Sequence, residues 1–161
     1  MRPIELLLRT NQSIGPTILR WGLAIVMFPH AAQKMFGWFG GGGFSGTMHM
    51  FTSNMHIPAP LAFLAIMTEF LGAIGLALGL MTRFSALGIG FVLLVGVVLV
   101  HLQNGFFMNW SGKQGGEGFE YHLLVFAMAV VLVICGGGRG ALDSVLLRKV
   151  AGVPPAPKDE F

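Results

Sequence analysis

The sequence predicts an all-α integral membrane protein, a bundle of four spanning helices with N- and C-termini cytoplasmic. Three observations predict it. Four apolar stretches, at about 14–36, 58–81, 84–102 and 119–137, each reach the roughly 17–25 residues that cross a bilayer core. Hydrophobic residues make up 54% of the 161 and charged residues 11%, against about 25% charged in ordinary soluble domains, and mean hydropathy is +0.73. Of the 10 Lys and Arg, only Lys34 and Lys113 fall on one side of these spans. Arg2, Arg9, Arg20, Arg83, Arg139, Arg148, Lys149 and Lys158 share the other, and the positive-inside rule makes that side cytoplasmic.

Residues 1–13 read as an interfacial segment. Leu6, Leu7 and Leu8 lie between Arg2 and Arg9, an amphipathic pattern suited to the inner membrane surface. No cleavable signal peptide is expected, because Met1-Arg2-Pro3-Ile4-Glu5 leads into no apolar run ending at a small-residue cleavage site. The first span, 14–36, contains Arg20 and Pro29. Arg20 sits near its inner end, from where it can snorkel to the headgroups. The outer loop 37–57 holds Gly40-Gly41-Gly42-Gly43, the signature of a flexible or tightly turning backbone.

The second span, 58–81, carries one charge, Glu69, and the third, 84–102, carries none. The turn at Thr82-Arg83 is short, so these two spans form an antiparallel hairpin. Gly75-x-x-x-Gly79 has the small-residue spacing that lets helices approach closely in lipid, read here as packing within the chain. A second glycine-rich outer loop, 103–118, leads to the fourth span, 119–137. Residues 14–150 make one transmembrane domain, and 151–161 make a flexible, Pro-rich, charged tail read as disordered. The single cysteine, Cys135, allows no internal disulfide. The net charge of +3 reflects the membrane face rather than a nucleic-acid patch. With so little chain outside the spans, any chemistry must use the bundle and its two outer loops.

Three helices bring imidazoles to one level, and a fourth brings a carboxylate beneath them. At 1.5 Å per residue, His30 lies roughly 24 Å and His101 roughly 26 Å from the inner starts of their spans, and His122 opens the fourth. Glu69 lies roughly 17 Å inward from Pro58. A carboxylate in a span is costly and faces the bundle interior or a wet cavity, so Glu69 is the leading candidate for catalysis, as a proton carrier within reach of a histidine. His30, His101 and His122, with Gln33 and Trp38 beside them, are the candidate ligand-binding residues. The plainer reading is also available for each: a structural hydrogen bond for Glu69, interfacial anchoring for the histidines, and an ordinary Lys34–Glu120 ion pair across the outer mouth. Phe36, Trp38, Phe39, Phe44, Phe106, Phe107, Trp110, Phe119 and Tyr121 crowd the same side, as an interfacial belt or as the walls of a site for a flat ligand such as a quinone. Imidazoles at matched depth could instead ligate haem or a metal ion, but no H-x-x-x-H or E-x-x-H pair fixes that geometry within one helix. No nucleotide, zincin or C-x-x-C-H motif is present.

The stretch from His30-Ala31-Ala32-Gln33-Lys34 through Met35-Phe36-Gly37-Trp38-Phe39-Gly40-Gly41 resembles the opening signature of the DoxX family. Glu69-Phe70-Leu71-Gly72, Gly79-Leu80-Met81-Thr82-Arg83, His101-Leu102-Gln103-Asn104-Gly105-Phe106-Phe107, Gly118-Phe119-Glu120-Tyr121 and Gly136-Gly137-Gly138-Arg139-Gly140-Ala141-Leu142-Asp143 resemble later family motifs, in family order, over about residues 14–145. The resemblance implies a four-helix protein of the bacterial inner membrane. Its namesakes are associated with a thiosulfate:quinone oxidoreductase, while animal relatives of the fold look like receptor-assembly helpers. It therefore implies a membrane redox-associated subunit that binds quinone near the outer face, or a non-catalytic accessory or scaffold subunit of a larger complex or homo-oligomer. The sequence places no cysteine on the outer side to form a sulfur adduct.

Overall fold

The computed structural model describes residues 3–151. The Pro-rich tail, together with Arg2 and Lys158 of the charge count, lies outside the described residues. Those described are helical or irregular, with no strand among them. A short helix α1 (Pro3–Leu8) precedes α2 (Ile14–Phe36). Then come α3 (Gly43–His49), α4 (Ala59–Leu78), α5 (Thr82–Gly96), α6 (Glu120–Cys135) and α7 (Leu142–Ala151).

Sequence explains where each long helix stops. Gly37 ends α2 and Gly79 ends α4, both with positive φ, at 75° and 65°. Glycine takes that left-handed cap without the Cβ penalty other residues meet. Pro58 and Pro60 open α4, where the missing N–H of proline costs nothing. The helix of α5 continues as a π turn at Val97–His101 and a 3-10 turn at Leu102–Asn104. Thr82–Asn104 and α4 are each long and apolar enough to cross a membrane by length and composition, and α6 is a shorter apolar helix.

The long helices pack in a closed order. Helix α2 contacts α4 and α6, α4 contacts α5, and α5 contacts α6. Leu23, Met27, Ala73, Leu76, Ile89, Val125 and Leu132 meet at the centre. Small residues bring α4 and α5 together: a Cβ on Gly72 would meet Ile89, and one on Gly75 would meet Ser85. The Gly75-x-x-x-Gly79 face is thus used inside the chain. Outward faces carry Ile18, Ile25, Leu64, Leu71, Leu87, Phe91, Leu124 and Ile134, all exposed, whereas Arg20, Glu69, Thr82, His122 and Asp143 are buried. Apolar surfaces facing out over a polar-bearing interior suit lipid as the surrounding solvent.

Three sequence expectations need correction. Arg20 does not snorkel. Its guanidinium is buried, and it donates to the carbonyls of Leu76 and Ala77 at 2.8 Å and of Gly137 at 2.9 Å. Carbonyls freed at the end of α4 need donors, and a delocalised cation at a helix C-terminus supplies them. Residues 37–57 are not a flexible loop. Of the two forms expected there, flexible or tightly turning, the second is found, with positive φ at Gly37, Gly40 and Gly43, and what was read as loop is largely helical: a 3-10 turn at Trp38–Gly40, then α3, then a π turn at Met50–Asn54, with Thr47 of α3 buried. Lys34 and Glu120 do not pair: Lys34 binds Glu69, and Glu120 accepts from the Met108 N–H and from Trp110 Nε1.

A second knot closes the Arg20 end. Asp143 accepts from the N–H groups of Met81 at 2.6 Å and Thr82 at 2.9 Å, capping α5 from α7, and its own N–H donates to the Gly79 carbonyl. Arg83 donates to the Arg9 and Val133 carbonyls. These bonds tie α1, α4, α5, α6 and α7 together and leave the opposite end for a site.

Candidate functional site

The opposite end is formed by the last turn of α2, the start of α4, the π and 3-10 turns after α5 and the start of α6. Two polar groups stand there. The first is Glu69, halfway along α4 beneath that end and only 2% exposed. Both its carboxylate oxygens accept from Lys34 Nζ of α2, one at 2.6 Å. The ammonium supplies the opposite charge that a buried carboxylate needs. Thr47 Oγ1 donates to the Lys34 carbonyl at 3.3 Å and so pins α3 over the pair.

A cavity of about 230 Å³ opens beside the pair. It is walled by Gln33 and Lys34 of α2, Gly41 and Gly42 of the turn, Gly46 and Thr47 of α3, and Met50. Gly41 is forced by packing, since a Cβ there would fall on the Gln33 backbone. Gln33 Nε2 donates to the Phe39 carbonyl at 3.3 Å.

The second group is imidazole. The rings of His101 and His122 lie 4.3 Å apart between centroids. His101 Nδ1 donates to the Glu117 carbonyl at 2.9 Å, because a carbonyl can only accept, and this leaves Nε2 as an acceptor. His122 is buried, and its Nδ1 and the neighbouring Tyr121 hydroxyl have no hydrogen-bond partner among the described residues. His30 is exposed on α2 but within electrostatic reach of His122. Buried polar atoms are normally satisfied, so two unpaired ones side by side invite a ligand or a water. Among the described residues, no group of three or more His, Cys, Asp and Glu is arranged to hold a metal ion.

The structure thus brings the three histidines near one another and turns Glu69 inward. Glu69's hydrogen-bond partner is Lys34 rather than a histidine. Trp38 is exposed and packs on Phe36 at 5.2 Å between ring centroids. Lys34 is the residue the sequence reading passed over as a site member. The signal was available: a buried carboxylate needs a cation, and among the described residues Lys34 is the only Lys or Arg at this end that stands on a helix.

A model of the DoxX family matches residues 15–102. The chain belongs to the DoxX family. The match takes in the stretch around His30 and Lys34, Glu69 with the Gly79–Arg83 turn, and His101; α6 and α7 lie beyond it. No curated protein and no solved structure matches this chain. Family membership and the two apolar helices together support a membrane protein.

Proposed function

We propose that this DoxX member is a four-helix, multi-pass protein of a bacterial inner membrane, with both termini cytoplasmic, that binds a quinone near its outer face as a redox-associated subunit. The observation that carries the reading is the Lys34–Glu69 pair, whose Lys34 lines a cavity, at the same end as His101, His122 and the unpaired Tyr121 hydroxyl. Quinone reduction takes up two electrons and two protons, so its site needs hydrogen-bond donors for two oxygens and a group that exchanges protons with water. His122 and Lys34 are the donors. Glu69 is the proton carrier, held in place by Lys34 and supplied with protons from the outer side. Electrons come from a partner protein.

The test uses the full chain in lipid nanodiscs, titrated with duroquinone, a fully methylated benzoquinone that cannot add to thiols. Saturable binding is expected, weakened in His122→Gln. With dithionite added as the electron donor, each bound quinone takes up two electrons and two protons, and proton uptake is expected to be slowed in Glu69→Gln. Absence of saturable binding by the wild-type protein, or proton uptake at the wild-type rate in Glu69→Gln, overturns the reading.

One observation favours an accessory role alongside it. The segment after α5 holds Phe106, Phe107 and Trp110 exposed, Trp110 at 85%. Aromatics displayed on a loop suit a protein partner. Co-purification of a partner that is lost in Phe107→Ala and Trp110→Ala would support that role.

A further inference from the structure

Gly46 is a glycine without a packing reason. It sits inside α3 on the wall of the cavity, and a Cβ built there meets nothing within 4 Å. A helical glycine is less favourable than any ordinary residue at the same place, so a side chain at 46 would strengthen α3 without clash. What a side chain would remove is space in the cavity. Gly41, across the opening, is different, because there the backbone of α2 leaves no room for a Cβ.

The charge of the cavity is equally specific. Lys34 has three ammonium donors, and two are engaged by the Glu69 oxygens. The side chain remains 29% exposed, and Lys34 lines the cavity, so its third N–H is available to an acceptor. The pair is neutral as a unit. An anion would gain the ammonium and meet the carboxylate behind it, whereas a neutral acceptor loses nothing to that carboxylate. The Gln33 carboxamide oxygen is free to accept, since Gln33 donates through Nε2. Met50 supplies a polarisable apolar wall.

We infer that this cavity seats the ring of a neutral, carbonyl-bearing ligand, with one ring oxygen accepting from Lys34 and with Gly46 keeping the slot open. The inference rests on the quinone reading for its ligand and adds the seat, the donor and the residue that sets how wide a ring is admitted. The histidine pair then serves a second oxygen or the proton path rather than the seat of the ring.

Duroquinone is titrated into the full chain in nanodiscs as wild type, Gly46→Val, Lys34→Met and His122→Gln. Loss of a charge-assisted hydrogen bond corresponds to about tenfold or more in affinity. Weakening of about tenfold or more is therefore expected in Lys34→Met and also in Gly46→Val, the latter with an unchanged thermal midpoint. Should Gly46→Val fail to fold, Gly46→Cys in a Cys135→Ser background replaces it, and duroquinone is expected to slow maleimide labelling at least several-fold. Unchanged affinity in Gly46→Val, or unprotected labelling in Gly46→Cys, overturns the seat. If His122→Gln alone loses binding, the quinone reading stands and the ligand belongs to the histidines. No binding by the wild-type protein overturns both.

Discussion

Lys34 and Glu69 stand 35 positions apart in the chain and meet as an ion pair whose carboxylate is buried. Removing one partner of such a pair costs about 3–5 kcal/mol, whereas replacing both with apolar residues of similar size is often neutral. Lys34→Met is therefore expected to destabilise the protein by about 3–5 kcal/mol, and Lys34→Met with Glu69→Leu to recover most of that loss. Thermal unfolding in one detergent measures it; equal losses in the single and double variants would mean that the pair does not act as a unit. At the other end, burial pushes the Asp143 carboxyl above its ordinary value, partly offset by the N–H groups it accepts and by Arg20. A raised folded-state pKa favours the protonated native form, so this contribution is full below the unfolded value and is lost as pH rises through the folded one. Wild-type stability should fall across that window relative to Asp143→Asn, which cannot titrate. Melting midpoints of the two proteins against pH check the sign, and parallel curves would remove Asp143 from the account.

Among the elements, periodicity decided what could be read. The sequence boundaries 14–36 coincide with α2, and those of the other spans fall within a few residues of α4, of α5 with its terminal turns, and of α6. Long apolar runs leave one answer in lipid, because each backbone donor must be satisfied within its own helix. The segment 37–57 was illegible for the opposite reason. Helix α3 is seven residues long and includes Gly43 and Gly46, too short and too weak in propensity to form alone. It exists because Thr47 and the last turn of α2 hold it. Arg20 was misread because hydropathy reports the charge of a residue and not the carbonyls waiting for it across the bundle. Close approach of α4 and α5 is the most exposed of these dependencies. Gly75→Val would place its side chain against Ser85 and the Leu80 carbonyl, and overpacking of this kind costs about 1–3 kcal/mol. Lower thermal stability is expected, with most of it restored by Ser85→Gly, which vacates the contact. Failure of Ser85→Gly to restore it would place the strain elsewhere.

At the scale of the whole molecule, the two ends differ in kind. One is sealed by backbone-directed bonds from Arg20, Arg83 and Asp143. The other holds the Lys34–Glu69 pair, the unpaired His122 Nδ1 and Tyr121 hydroxyl, and a cavity. Sequence could place Glu69 and the histidines at one end from depth alone, but not their partners, because partners depend on helix rotation and on α3, which no pattern announced. The proposed orientation of that end rests on charge. Among the described residues, Arg9, Arg20, Arg83, Arg139, Arg148 and Lys149 belong to the sealed end, and Lys34 and Lys113 to the open one. The proposal that the open end faces outside follows from applying the positive-inside rule to that distribution. In cells carrying Cys135→Ser, a cysteine placed at Lys113 should react with a membrane-impermeant maleimide in intact spheroplasts, and one placed at Arg139 should react only after permeabilisation. The site prediction depends on this outcome as well as the topology. A carrier that takes protons from the outer water requires Glu69, Lys34 and the cavity on that side, so labelling of Arg139→Cys in intact spheroplasts would reverse the orientation and move proton uptake to the cytoplasm.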